Sequence, residues 1–144
     1  VKQIIRKDDT PDINYKCDVL KAINDRDWMK RWSVYRKEFE KIKEDPTKEH
    51  LFGKYPQHPN VIVKSYMFNV LSSPLSAQYK DMKINKTYYT EADNGYKMNY
   101  GYNIEVKINS INPRDERMGY MGFSTYHILV KDDIVLEHLK SSFN

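Results

Sequence analysis

The stretch YKMNYGYNIEVKI, residues 96–108, decides the fold, because apolar and polar residues alternate along all of it. Every even position is apolar or aromatic, while the odd positions carry Lys, Asn, Gly or Glu. Successive side chains of a β-strand point to opposite faces, so the pattern predicts a long strand with one buried face and one polar face. Asn94-Gly95 tolerates the positive φ of a tight turn and predicts an antiparallel hairpin with the strand before it.

The sequence on both sides predicts three further strands, at residues 79–90, 117–130 and 133–139, besides the central one at 95–109. Asn112–Glu116 and Lys131–Asp133 contain the turn residues that separate the later strands. The third strand is expected to direct its even positions toward the core, namely Met118, Tyr120, Tyr126, Ile128 and Val130. These elements predict a four-stranded antiparallel meander.

Helices are predicted before the sheet. The clearest has an aromatic stripe at alternating steps of four and three residues: Trp28, Trp32, Tyr35, Phe39 and Ile42. Shorter helices are predicted after Thr10-Pro11 and over residues 60–71. We expect the stripe to pack on the even face of the central strand. The fold class is therefore α+β, with N-terminal helices on one face of the meander. Residues 1–144 form one predicted domain, with a helical part at 10–71 and a sheet part at 79–139.

Composition excludes several classes of protein. Hydrophobic residues make up 40% of the 144-residue chain and charged residues 31%, which is typical of a folded domain. The net charge is +4, but the 24 basic and 20 acidic residues are interspersed, which favours a mixed solvated surface over a basic patch for nucleic acid. No apolar run is long enough to span a membrane. The start at Val1 suggests a processed product, so a removed export signal stays open.

No constellation of reactive residues can be recognised in the sequence. The four His residues form no ligand-spaced pair, and the single Cys, Cys17, falls on an apolar helical stripe that favours a buried structural thiol. Asp132 and Asp133 are adjacent on a turn, where their carboxylates are expected to diverge. Residues 119–123, GYMGF, lack the Lys and Ser or Thr of a phosphate loop, and their glycines suggest a bulge or a close backbone approach. We therefore predict no catalytic residue, metal or cofactor, and no enzyme.

Two segments together resemble a known group of proteins. Residues 71–79, LSSPLSAQY, are similar to an L-x-x-P-x-S-A-x-F/Y pattern, and Asn112 with GYMGF at 119–123 is similar to the N-x-x-G-Y-x-G-F/Y stretch that follows it. Both occur in a family of small, largely uncharacterised, often exported bacterial proteins. The resemblance covers about residues 60–136 and departs at Pro113–Met118, a longer and charged join. It implies a protein of the cell envelope or secreted space that binds rather than catalyses.

The favoured hypothesis is a small non-enzymatic protein-interaction module, such as an immunity protein or an accessory of secretion or conjugation. Its partner is expected to be another protein, contacted by aromatic or polar groups of the exposed sheet face and turns: Tyr89, Asn99, Asn103, Phe123 and His127. One alternative is a nucleic-acid-binding protein that uses a basic, aromatic-rich sheet surface. Another is a small-ligand or enzymatic pocket in a cone-shaped α+β fold.

Overall fold

A computed structural model describes residues 4–6, 25–91, 96–111 and 119–141. The helix predicted after Thr10 and the turns predicted at Asn94-Gly95 and Asn112–Glu116 lie outside these ranges. The described strands are β1 (Ile4–Arg6), β2 (Gln78–Glu91), β3 (Met98–Asn109), β4 (Ser124–Lys131) and β5 (Ile134–Ser141). The described α-helices are α1 (Asp25–Lys43) and α2 (Pro59–Phe68), with 3-10 helices at Pro46–Phe52 and Pro74–Ser76.

The strands form one antiparallel sheet in the order β1-β2-β3-β4-β5. The predicted α+β class and the meander of β2 to β5 are confirmed, and β1 adds a short edge strand that was not predicted. In the register of β3 and β4, Ile104 lies opposite Ile128 and Val106 opposite Tyr126. The even positions of both strands therefore share one face, as predicted.

The third strand of the meander is shorter than predicted, because β4 begins at Ser124 and not at residue 117. Gly119 and Gly122 have φ values of 65° and 97°, which an extended strand does not accommodate. The two glycines act through this conformation and not through close packing, since a Cβ added at either would meet no atom within 4 Å.

Contacts divide the chain into two compact units, residues 1–52 with 87–101 and residues 53–86 with 102–144. The core of the first unit is aromatic. Trp32 and Phe39 of α1 are buried, and their rings lie 5.2 Å and 4.9 Å from that of Tyr88 on β2. Phe52 packs 6.3 Å from Phe39 and 5.4 Å from Tyr100. The predicted stripe is thus core at Trp32 and Phe39.

In the second unit, α2 covers the even face of β3. Val63 and Met67, one helical turn apart on α2, are fully buried against the even-numbered residues of the sheet: Ile104, Val106, Ile108, Tyr126, Ile128 and Val130. Burying an aliphatic side chain of this size contributes about 1.5–3 kcal/mol. The partner of this part of the even face is therefore α2, and the expectation that the Trp stripe covers it was wrong.

The turn between β4 and β5 lies where it was predicted, and it contacts the loop before α2. Asp132 and Asp133 have φ values of 52° and 64°. Their carboxylates contact different groups of Lys54, one the backbone N–H and the other the side-chain ammonium. Asp132 Oδ1 accepts a 2.8 Å hydrogen bond from the Lys54 backbone N–H, and Asp133 Oδ2 lies 3.0 Å from Lys54 Nζ.

Candidate interaction site

The two sequence segments that carry the family resemblance meet at the end of β3. Pro74 begins a 3-10 turn that positions Ser76. The Ser76 hydroxyl donates to the Ser73 carbonyl at 2.8 Å and accepts the backbone N–H of Ile111 at 3.2 Å. Ile111 in turn forms an antiparallel bridge with Tyr120. One hydroxyl therefore links the turn after α2 to the segment that leads into β4.

Asn109, the last residue of β3, provides the second link. Its side chain is only 8% exposed. Its Oδ1 accepts the Gly122 N–H at 2.9 Å, and its Nδ2 donates to Gln78 Oε1 at 3.2 Å. The Met121 N–H also donates to the Ser110 carbonyl at 3.1 Å. Polar groups near the end of the sheet are thus satisfied internally, which fixes the backbone on both sides of Met121.

Large apolar side chains project from this hydrogen-bonded frame into solvent. Leu75 is 92% exposed, Met121 66% and Tyr120 44%. We call these three residues the apolar cap. The expectation that Tyr120 lies on the core face was wrong, because the positive φ values of Gly119 and Gly122 end the strand alternation before β4 begins. Contiguous exposed apolar patches are typical of binding surfaces, whereas apolar residues exposed singly are ordinary.

Phe123, one of the predicted contact residues, lies immediately before β4 and two residues after Met121 of the cap. Its ring is half-buried, and Lys80 Nζ lies 4.0 Å from the ring centroid. An ammonium at this distance is attracted to the negative face of an aromatic ring. The contact holds β2 against the segment of residues 119–123, so Phe123 supports the frame more than it offers a free surface.

Asn103 and His127, two further predicted residues, are brought together on the polar face of the second unit. Asn103 Nδ2 lies 3.3 Å from His127 Nδ1, and Glu105 Oε1 lies 3.9 Å from the same nitrogen. Nearby, Lys107 Nζ lies 3.7 Å from Asp81 Oδ2. The polar groups of this face therefore largely pair with one another, and the charges they present alternate in sign.

Tyr89 and Asn99 belong to the first unit and do not join this group. Tyr89 is only 3% exposed, so it is not part of an exposed face. Residues 87–90 are all buried, so both faces of β2 are covered there. The alternation of one buried face and one exposed face therefore does not hold in this part of the strand. Asn99 is partly exposed, and its Nδ2 donates to the Lys97 carbonyl at 3.3 Å.

The apolar cap is not among the contact residues that the sequence predicts. Leu75 lies in the L-x-x-P-x-S-A-x-F/Y pattern, but that pattern assigns it no contact role. The available signal was local: Leu75 is a lone large apolar residue in the polar turn SSPLS, where no strand or helix period assigns it to the core. Met121, together with Tyr120, stands between Gly119 and Gly122 and gives a similar signal.

The raised pKa of Tyr79 does not indicate a reactive hydroxyl. Burial raises the pKa of Tyr79, and the nearby Tyr126 hydroxyl raises it further. Lys64 Nζ lies 5.4 Å from the Tyr79 ring centroid. The Tyr79 hydroxyl therefore stays protonated at neutral pH, and its ring serves as a packing surface for α2.

Neither a metal cluster nor a membrane-spanning helix is present in the described ranges. No group of three or more His, Cys, Asp or Glu residues there is placed to hold a metal ion. None of the helices described is both long and apolar enough to cross a bilayer.

No protein-family model, curated protein or solved structure matches the chain. The resemblance carried by residues 71–79 and 119–123 thus stays a prediction.

Proposed function

We propose that this chain is a non-enzymatic protein-interaction module that binds another protein through the apolar cap. The observation that carries the proposal is the exposure of Leu75, Met121 and Tyr120 on a frame fixed by Ser76 and Asn109. An isolated exposed apolar residue is ordinary, but three on segments joined by hydrogen bonds give a partner several apolar side chains to cover.

The chemistry of the cap suits a protein partner. Tyr and Met are enriched in the centres of protein interfaces, and a few such side chains supply most of the binding energy. Because the frame already holds the backbone, binding orders few additional groups and loses less conformational entropy. The cap itself carries no charge, so its binding is expected to depend weakly on salt.

The arrangement of the described residues favours this proposal over a sheet surface for nucleic acid. Phosphates are bound by cations that no carboxylate neutralises. The affinity for nucleic acid falls more steeply with salt as the number of these cations rises. On the polar sheet face, Lys107 lies beside Asp81, and His127 lies between Asn103 and Glu105. Carboxylates at these positions repel a phosphate backbone.

The arrangement also favours protein binding over a pocket enzyme. In the first unit, the aromatic rings of Trp32, Phe39, Tyr88 and Phe52 fill the space between α1 and the strands. A core occupied in this way offers no room for a ligand at that position. In the second unit, Val63 and Met67 fill the space between α2 and β3.

Placement in the bacterial envelope or secreted space is part of the same proposal, and it rests on the family resemblance. An immunity protein or an accessory of secretion or conjugation would use such a surface. Fractionation of the native organism, with detection of the endogenous protein, tests this placement. Recovery in the envelope or the medium supports it, and recovery in the cytoplasm alone contradicts it.

The test of the proposed function is affinity purification from the native organism, followed by titration of the purified partner. Leu75→Asp should reduce partner affinity by about tenfold or more, as expected for a central apolar anchor. Ile134→Asp is the matched control, because Ile134 is also an exposed aliphatic residue, at 63%. Equal affinities of the two variants and the unaltered protein would contradict the proposal.

A further inference from the structure

The outer side of α1 carries a row of exposed residues that is separate from the apolar cap. Lys30, Val34, Lys37 and Lys41 recur at steps of four, three and four residues. In a helix of 3.6 residues per turn, this spacing places them on one face, opposite the buried Trp32 and Phe39. All four are exposed, including Val34 at 55%. We call them the lysine row.

The helix carries a net positive charge close to that of the whole chain. Residues 25–43 contain seven Lys and Arg and four Asp and Glu, a formal charge of +3, against +4 for the whole chain. The signs are interspersed in the sequence, but the helical period places Lys30, Lys37 and Lys41 on one face, with Glu38 and Glu40 to either side. Asp27 precedes Lys30 at the same spacing. Between residues 30 and 41, this face therefore carries positive charge and not the mixed charge expected from the sequence.

The carboxylates on the described part of α1 do not neutralise the lysine row. Glu40 lies to one side, 3.3 Å from Lys43 Nζ. Glu38 lies to the other side, where its charge adds to the effect of burial in raising the pKa of Tyr100. Among the side chains that the structure describes, which begin at residue 29 of α1, no carboxylate forms an ion pair with Lys30, Lys37 or Lys41. The row is thus a line of solvated cations about 16 Å long, given the 1.5 Å rise per residue.

The row fits an acidic helix better than other polyanions. Steps of four and three residues are the spacing at which one helix packs along another. Val34, inside the row, offers an apolar contact that a phosphate backbone would not use. A membrane surface would need an apolar helix face to insert, and the apolar face of α1 is occupied by Trp32 and Phe39 in the core.

We propose that the lysine row binds an acidic helix of a partner protein, with Val34 packed against an apolar residue of that helix. The inference rests on the proposed function in that the ligand is a protein, but it uses a different surface. It adds that part of the partner is negatively charged, and that binding at this surface weakens as salt is raised.

Two synthetic helical peptides of identical composition provide the test. One presents Glu and Leu on a single face at steps of four and three residues, and the other has the same residues scrambled. Titration is followed by NMR shifts of the backbone amides of the full chain. We expect shifts within α1 and an affinity for the patterned peptide about tenfold above that for the scrambled one.

Charge-reversal variants locate the binding. Changing Lys30, Lys37 and Lys41 together to Glu should abolish patterned-peptide binding. The control with the same change in net charge is Lys48→Glu, Lys83→Glu and Lys97→Glu, at three other exposed lysines, and it should retain most of the affinity. Val34→Asp should reduce the preference for the patterned peptide. Circular dichroism confirms that each variant is folded.

Several results would overturn the inference. They are equal binding of the two peptides, no binding at low salt, and tighter binding of a DNA duplex or of phosphatidylserine vesicles to the same lysines. Failure here is distinguishable from failure of the proposed function. The peptide titration reports only on α1, whereas Leu75→Asp reports only on the apolar cap.

Discussion

Asn109 Oδ1 accepts a 2.9 Å hydrogen bond from the backbone N–H of Gly122, and this bond joins the end of β3 to the segment that presents Met121. The same amide group donates to Gln78 at the start of β2. A single buried side chain therefore connects three parts of the second unit. The apolar cap owes its fixed geometry to this residue and to Ser76.

Removing the Asn109 amide should destabilise the protein. Asn109→Ala leaves the Gly122 N–H and the Gln78 side chain without their partner, at a cost of about 1–3 kcal/mol in the free energy of unfolding. Asn109→Asp keeps an acceptor for Gly122 and should cost less. Urea denaturation measures both, with Asn99→Ala as an exposed control expected within about 0.5 kcal/mol of the unaltered protein. Equal losses for Asn109→Ala and Asn99→Ala would refute this role.

Gly53→Ala should be more destabilising than Gly119→Ala. Both glycines have positive φ, 77° and 65°, so each alanine carries a conformational penalty of about 1–2 kcal/mol. Only at Gly53 would the new Cβ lie 2.8 Å from Asp132 Oδ1, which is held by the Lys54 N–H. Moving that oxygen away breaks the hydrogen bond and adds on the order of 1 kcal/mol. Equal urea midpoints for the two variants would contradict this prediction, because they would show that the turn accommodates the new Cβ without loss of stability.

Thr90→Val should leave stability unchanged or raise it. Thr90 is fully buried, and its Oγ1 has no hydrogen-bond partner among the described residues. An unsatisfied buried hydroxyl costs about 1–3 kcal/mol, and Val has a similar shape and high β-propensity. Thr90→Ala, which also removes the methyl group, should lower the melting temperature. If both variants are equally destabilised, the hydroxyl does have a partner.

Tyr100 should titrate far above an ordinary tyrosine. Burial raises its pKa from 10.0 to about 12, with further contributions from Glu38 and Tyr35. The neutral phenol therefore favours the folded state below pH 10, and this contribution is lost as the pH rises from 10 to about 12. Absorbance near 295 nm, compared between the protein and Tyr100→Phe, isolates the step. Glu38→Gln should lower its midpoint, and a step near pH 10 would contradict the assignment.

Much of the fold could be predicted from local pattern. The alternation in β3, the aromatic stripe at Trp32 and Phe39, and the Asp132-Asp133 turn each depend on residues close in sequence. The pairing of β1 with β2 could not be predicted. The three residues of β1, Ile4–Arg6, are too few to show a periodic pattern, and they pair with a strand more than eighty positions away. The packing of α2 on β3 could not be predicted either, because both α1 and α2 have an apolar face and local pattern does not decide which of them covers this part of the strand.

The candidate site was less predictable for the same reason. Asn103 and His127 were identified as residues of the polar face, but their pairing with each other removes much of their freedom to bind. Tyr120 was assigned to the core by a period that two positive-φ glycines interrupt. The sorting of charge on α1 was hidden because composition counts residues along the chain, whereas a helix places every third or fourth residue on one face.

The most direct test of the central claim is photo-crosslinking in the native organism, with a photoreactive amino acid placed at position 75 and, separately, at position 134. Both positions are exposed aliphatic residues of the second unit, at 92% and 63%. The account predicts one dominant protein crosslink from position 75 that is lost when Met121→Asp is added, and none of that mass from position 134. No protein crosslink at position 75, or the same products from both positions, would contradict it.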